Sequence, residues 1–152
     1  MAHLELMAEF INIYMSALKN LEKLISQPTS EFGVSFEQWL IMSSVAASSV
    51  PLTMTEIATE RGVTKGAIAR QLKPLFERDY LKQSHDDQDR RRVLLSLTVE
   101  GQRVEKIVTQ RVGARFDKWL DIYGLDEGRD LLKTFHRLNQ LIIQPELNKG
   151  KD

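Results

Sequence analysis

The sequence has 152 residues, 42% of them hydrophobic and 28% charged, with 21 basic side chains balanced by 21 acidic ones. That is the composition of an ordinary soluble globular chain, most simply one domain with a sizeable core. The absence of cysteine excludes disulfides, thiolate metal sites and a thiol redox switch.

No basic region followed by an apolar run opens the sequence, so no secretory signal is expected. The most apolar segment, 39–52, is too short and too serine-rich to span a bilayer, and a cytoplasmic location follows by default. A net charge of zero argues weakly against a nucleic-acid partner, but where charge sits matters more than its sum. Arg61, Lys65, Arg70 and Lys73 occupy a stretch without acids, and Arg90, Arg91 and Arg92 stand in a row.

In chain order, Leu4, Met7, Ile11, Tyr14, Leu18, Leu21 and Ile25 step by three and four, with Phe10, Ile13 and Ala17 widening the stripe. This is the apolar seam of a long helix, which Pro28, followed by Thr29 and Ser30, is expected to end. The stripe fits either an intramolecular core or a dimer seam. Its length exceeds what one small domain can cover, which favours the seam.

Ser35-Phe-Glu-Gln38 is a capping box opening a helix to about Ala47, and Thr53-Met-Thr-Glu56 opens another. In the latter Met54, Ile57 and Ala58 turn inward, and Gly62 closes it in the left-handed conformation. Thr64 caps the next helix, to about Arg78, with Ala67, Ile68, Leu72, Leu75 and Phe76 toward the core. Pro74 should bend this helix without breaking it, because the apolar spacing continues across it.

Tyr80–Gln83 and Val93–Leu97 read as strands joined by a charged hairpin over 85–92. Thr98 caps a long helix whose face carries Val104, Ile107, Val108, Val112, Phe116, Trp119, Leu120 and Tyr123. Gly124 interrupts it. Asp126 or Asp130 leads into a last helix, Pro145 ends the ordered part, and 148–152 reads as a flexible tail.

The order of these elements is that of a winged helix–turn–helix over 35–97. The expected fold is mainly α with a small β-wing, the winged core being flanked by helical dimerisation regions at 1–34 and 98–147. Ala58 followed by Gly62-Val63, Ile68 and Leu72 has helix–turn–helix spacing. The opposite face, Thr64, Lys65, Gly66, Ala67, Arg70, Gln71 and Lys73, is left for solvent or a groove. Residues 64–66 suit a phosphate at a helix N-terminus. Arg70 and Gln71 can read base edges, Arg favouring guanine and Gln adenine, while Lys65 and Lys73 suit phosphates. On the hairpin, Asp89 is placed to hold a guanidinium in a fork, and the arginines suit a narrow minor groove. Asp86, Asp87 and Asp89 make a poor metal site, with arginines adjacent and no flanking Glu or His.

The chain resembles the multiple-antibiotic-resistance regulator (MarR) family over nearly its whole length. Ile57-Ala58, Gly62-Val63, Asp89-Arg-Arg91 and Leu97-Thr98-x-x-Gly101 carry the resemblance. It implies that Asp89 organises the wing tip and sends Arg91, with Arg90 beside it, into the minor groove. It further implies a homodimer joined by first and last helices, a pseudo-palindromic DNA operator, and regulation by a small ligand between the dimer helices and the core. Asp79, Tyr80 and Gln83 stand where the family usually has Gly, Leu and Arg. The missing cysteine sets aside the peroxide-sensing branch.

No motif marks the effector. Tyr14, Phe36 and Trp39, with His136 or Phe116, could take a lipophilic or aromatic acid, though aromatics at helical spacing are more often core. The three histidines lack metal-ligand spacing, and no metal or cofactor is expected. The function expected is therefore a sequence-specific DNA-binding regulator, most often a repressor. The alternative is a winged helix used for protein contacts or architecture without a specific operator. An enzyme is not expected, since no nucleophile–base pair or phosphate loop is present.

Overall fold

The computed structural model describes residues 3–150. The chain divides into two compact units, residues 1–112 and 113–152. The first contains α1 (Leu4–Ile13), a π-helical turn (Tyr14–Leu18), α2 (Lys19–Ser30), α3 (Phe36–Ala47), α4 (Met54–Arg61), α5 (Lys65–Glu77), β1 (Leu81–His85) and β2 (Val93–Leu97). The long α6 (Val99–Tyr123) begins in this unit and ends in the second. The second unit continues with α7 (Leu125–Leu138), a second π-turn (Asn139–Ile143) and α8 (Gln144–Asn148).

Local chemistry sets the helix starts. Ser35 and Thr53 each form the full reciprocal capping box with Gln38 and Glu56. Thr64 Oγ1 accepts from the Ala67 N–H at 3.1 Å, and Thr98 Oγ1 accepts from the Gly101 N–H at 2.9 Å. Gly62 closes α4 at φ 66°. Pro74 lies inside an unbroken α5.

The core of the first unit is built where these elements meet. Ile41 and Met42 of α3, Ile57 of α4, Leu75 of α5, and Val104 and Val108 of α6 are all but inaccessible. Burying a side chain of this size contributes about 1.5–3 kcal/mol each. β1 and β2 pair antiparallel, from Leu81 opposite Leu97 to His85 opposite Val93. Leu52 adds a single bridge to Leu95, its N–H donating at 3.2 Å and its carbonyl accepting at 2.7 Å.

The apolar stripe on the first helix does not join this core. Leu4, Met7, Phe10, Ile11 and Tyr14 are all about half exposed. Along the second unit Leu131, Phe135, Leu141 and Ile142 are exposed as well.

Several boundaries differ from the sequence reading. Pro28 does not end the first helix. The helix runs on to Ser30, and hydroxyls near its end bond back three residues along it: Ser26 donates to the Lys23 carbonyl, Thr29 to Ser26 and Ser30 to Gln27. Neither Asp126 nor Asp130 caps α7, which begins at Leu125 after Gly124 at φ 101°. Pro145 does not end the order either, since it sits in the first turn of α8 just beyond the second π-turn. There the Gln144 N–H reaches five residues back, to the Asn139 carbonyl. Asn148, assigned to a tail, ends α8, while Lys151 and Asp152 lie outside the described residues. β1 begins at Leu81, because the Tyr80 N–H is still bonded to the Leu75 carbonyl of α5 at 2.9 Å; the Tyr80 side chain is buried and donates its hydroxyl to the Phe32 carbonyl at 3.1 Å.

Candidate nucleic-acid interface

α4, the turn at Gly62 and α5 place one helix against the core and leave its other side outward. Ile68, Leu72 and Leu75 are buried. Thr64, Lys65, Gly66, Arg70 and Lys73 are exposed, and Ala67 and Gln71 lie half buried at the edge. Because the Ala67 N–H is already taken by Thr64, the first N–H groups of α5 available to an anion are those of Lys65 and Gly66. None of the described ion pairs involves Lys65, Arg70 or Lys73. Gln71 is not a free reader: its amide oxygen accepts from Gln38 Nε2 at 3.2 Å.

The hairpin tip is held by its own acids. The Gln88 N–H donates to Asp86 Oδ1 at 2.9 Å, and the Arg91 N–H to Asp89 Oδ1 at 3.1 Å. Arg92 N–H donates to the Asp89 carbonyl at 2.9 Å, and His85 Nδ1 lies 2.9 Å from the Arg90 carbonyl. The expected fork between Asp89 and a guanidinium is absent. Asp89 has turned to the backbone, where a short carboxylate closes a tight turn as an Asx motif. The guanidinium fork belongs instead to Arg92, which donates to Asp86 Oδ2 and to Glu56 Oε1, each at 3.1 Å. Glu56 also accepts the Thr53 N–H of its capping box through Oε2, so one carboxylate ties the wing to the start of α4. Arg90 and Arg91 are left exposed and take part in none of the described ion pairs.

The sequence reading missed the Glu56–Arg92 and Gln38–Gln71 links, because each joins residues more than thirty positions apart with no periodic signal. Of the family departures noted above, Asp79 does adopt the left-handed conformation, at φ 59°. Gln83 lies exposed on β1.

Of the effector residues, Phe36 and Trp39 meet with ring centroids 5.3 Å apart. Trp39 is buried, and its indole N–H donates to Thr109 Oγ1 at 3.1 Å. Tyr14 lies in the first π-turn, 48% exposed. Phe116 and His136 belong to the second unit. An open groove of about 320 Å³ lies elsewhere, between α5 and the wing, lined by Ala69, Lys73, Phe76, Gln83 and Val93 among others. Among the described residues no three His, Cys, Asp or Glu side chains could hold a metal ion, and no helix is long and apolar enough to cross a membrane.

The MarR family model matches residues 32–92, the α3–wing segment. Over 104 residues the chain is 32% identical to an HTH-type transcriptional regulator of Staphylococcus aureus strain Mu50, covering 68% of each chain. The chain belongs to the MarR family. The resemblance read from the Gly62 turn, the Asp89-x-Arg91 wing and the Leu97-Thr98-x-x-Gly101 run is thereby shown.

Solved MarR structures share the fold. Staphylococcus aureus MarR in complex with salicylate and kanamycin superposes with a TM-score of 0.72 at 22% identity, over 93% of this chain and 95% of that one. A mutant MarR from E. coli complexed with operator DNA gives the same TM-score and identity, over 91% and 98%. The winged helix–turn–helix expected from the sequence is thus the fold of this MarR-family chain.

Proposed function

We propose that this MarR-family chain is a cytoplasmic, homodimeric repressor that binds a pseudo-palindromic DNA operator and is released by a small lipophilic or aromatic effector. The observation that carries the reading is the pairing of two cationic surfaces: the outward side of α5 with Lys65, Arg70 and Lys73, and the wing with exposed Arg90 and Arg91. The helix suits the major groove, and the wing arginines suit the adjacent minor groove. The exposed apolar rows of α1 in one unit and, separately, of α7 and the π-turn after it in the other support a second copy as partner, because exposed apolar rows of this kind call for cover.

Two copies of α5 about one helical turn of DNA apart would cover a promoter, and repression is then steric. An effector acts by changing the spacing of the two winged lobes, since both must fit successive grooves at once. Tyr14, Phe36 and Trp39 remain the residues we assign to its recognition, with salicylate, the ligand of the Staphylococcus aureus relative, as a first probe. No cofactor and no catalytic step enter this reading.

The test is an anisotropy titration on DNA from upstream of the chain's own gene, at several salt concentrations, beside unrelated DNA and the Arg91→Ala variant. Tight, salt-steep and selective binding is expected. Arg91→Ala should weaken it and lower the salt slope by about one. Equal and weak binding to every DNA would overturn the operator reading.

A further inference from the structure

We propose that Gln71 reads DNA as a hydrogen-bond donor only, because the capping box of α3 fixes the polarity of its amide. This rests on the reading of α5 as the groove-facing helix.

The fixed point is a backbone N–H, which can only donate. Ser35 N–H donates to Gln38 Oε1 at 2.9 Å, so the oxygen arm of the Gln38 amide faces Ser35. Its nitrogen arm must then point the other way, where Nε2 donates to Gln71 Oε1 at 3.2 Å. Reversing the Gln38 amide would set its NH2 against the Ser35 N–H, donor against donor, at a residue only 9% exposed. The orientation that is ambiguous for an isolated glutamine is decided here by the chain of partners.

Gln71 therefore arrives at the edge of α5 with its amide oxygen turned toward Gln38 on α3. It is half buried, and Arg61 Nε is the only buried side-chain N or O atom without a partner among the described residues. The Gln71 NH2 group is thus not fully buried, and Arg70 beside it is exposed.

The bidentate pairing of glutamine with adenine needs both arms, oxygen to N6 and nitrogen to N7. A lone NH2 group instead suits guanine, with acceptors at both O6 and N7, and thymine, with its keto O4; cytosine offers it only an amino group, and adenine only N7 beside an opposing amino group. Gln38, which touches no base, is a positioning residue that sets this choice.

The arrangement can be inverted without altering residue 71. Gln38→Glu keeps a Ser-x-x-Glu capping box but supplies no donor. The Gln71 amide must then turn to donate to the new carboxylate, presenting its oxygen outward.

The experiment is a selection from random-sequence DNA with the full chain as wild type, Gln38→Glu, Gln71→Ala and Gln71→Glu. Wild type should favour guanine or thymine over adenine or cytosine about five- to tenfold, roughly the worth of one hydrogen bond, at one symmetric pair of positions. Gln71→Ala should erase that preference there alone. Gln38→Glu should invert it toward adenine and cytosine and leave the other positions unchanged. Gln71→Glu retains the Ser35–Gln38 pair and should invert it as well, carrying the test if Gln38→Glu fails to fold.

A keto preference that survives both Glu variants, or a Gln71→Ala pattern identical to wild type at every position, overturns the proposal and leaves the regulator reading standing. Enrichment of no sequence by wild type overturns both.

Discussion

Two glycines on one helix should respond to the same substitution with opposite sign. At Gly101, the third residue of α6, an added Cβ would stand 2.0 Å from the Tyr80 carbonyl oxygen and 2.8 Å from its carbon. Ordinary contact begins at 3.4 Å, so the helix start must retreat by more than an ångström. It cannot do so freely. The Tyr80 carbonyl accepts the Thr98 N–H at 3.1 Å, and Thr98 Oγ1 accepts the Gly101 N–H while donating to the Asp79 carbonyl. Overpacking costs about 1–3 kcal/mol, and a lost hydrogen bond about 1 kcal/mol more. Ala regains about 1 kcal/mol of helix propensity. The net expectation for Gly101→Ala is a loss of about 1–3 kcal/mol, or roughly 2–12 °C of melting temperature for a chain of this length. At Gly113 nothing lies within 4 Å of the added carbon, and Gly113→Ala should gain about 0.5–1 kcal/mol. Calorimetric melts at one fixed protomer concentration compare the two, since assembly makes melting concentration-dependent. A Gly101→Ala protein that melts as high as wild type would refute the reasoning.

Three further substitutions are informative. Tyr80→Phe leaves the Phe32 carbonyl without its partner and should lower stability by about 1 kcal/mol, read from a denaturant midpoint with unchanged slope. Arg92→Ala removes a bridge whose members are 48% and 45% exposed, so stability should fall by less than about 1 kcal/mol. Amide exchange across 86–92 should nevertheless quicken, as the wing loses its tie to Glu56; unchanged exchange would contradict that role. The Glu100 carboxyl is held below its ordinary range by hydrogen bonds from Arg103 and then by that residue's charge. A depressed carboxyl stabilises above its unfolded pKa and loses that contribution as pH falls through the folded value. Wild type and Glu100→Gln should therefore differ at neutral pH and converge in acid, and a difference that widens in acid would reverse the assignment.

What the sequence made legible was mostly local. The caps at Ser35, Thr53, Thr64 and Thr98 depend on residues within one turn, and the left-handed turn at Gly62 on a single residue. The winged order of elements followed from these starts and from the apolar spacing of Ile57, Ile68 and Leu72. The outward side of α5 followed by subtraction, once the inward side was assigned. Contacts between distant elements were not legible. Nothing near Arg92 marks Glu56 as its partner, and Asp89 looks as able to bind a guanidinium as to close a turn. Pro28 and Pro145 misled for a related reason. A proline lacks one donor but need not end a helix: α2 carries on past Pro28 to Ser30, and Pro145 falls in the first turn of α8, where a missing N–H costs least.

The turn at Tyr14–Leu18 has a further consequence. Each residue of an α-helix advances the facing direction by about 100°, and a π-turn holds an extra residue with its hydrogen bonds still closed. The Lys19 N–H, for instance, reaches the Tyr14 carbonyl. A chain one residue shorter at this point would close into a plain helix with nothing broken, yet Leu4, Met7 and Ile11 would look toward a different quarter. Length at this position acts as a compass setting. A single-codon deletion there would pass a stability screen and still change which surfaces can meet.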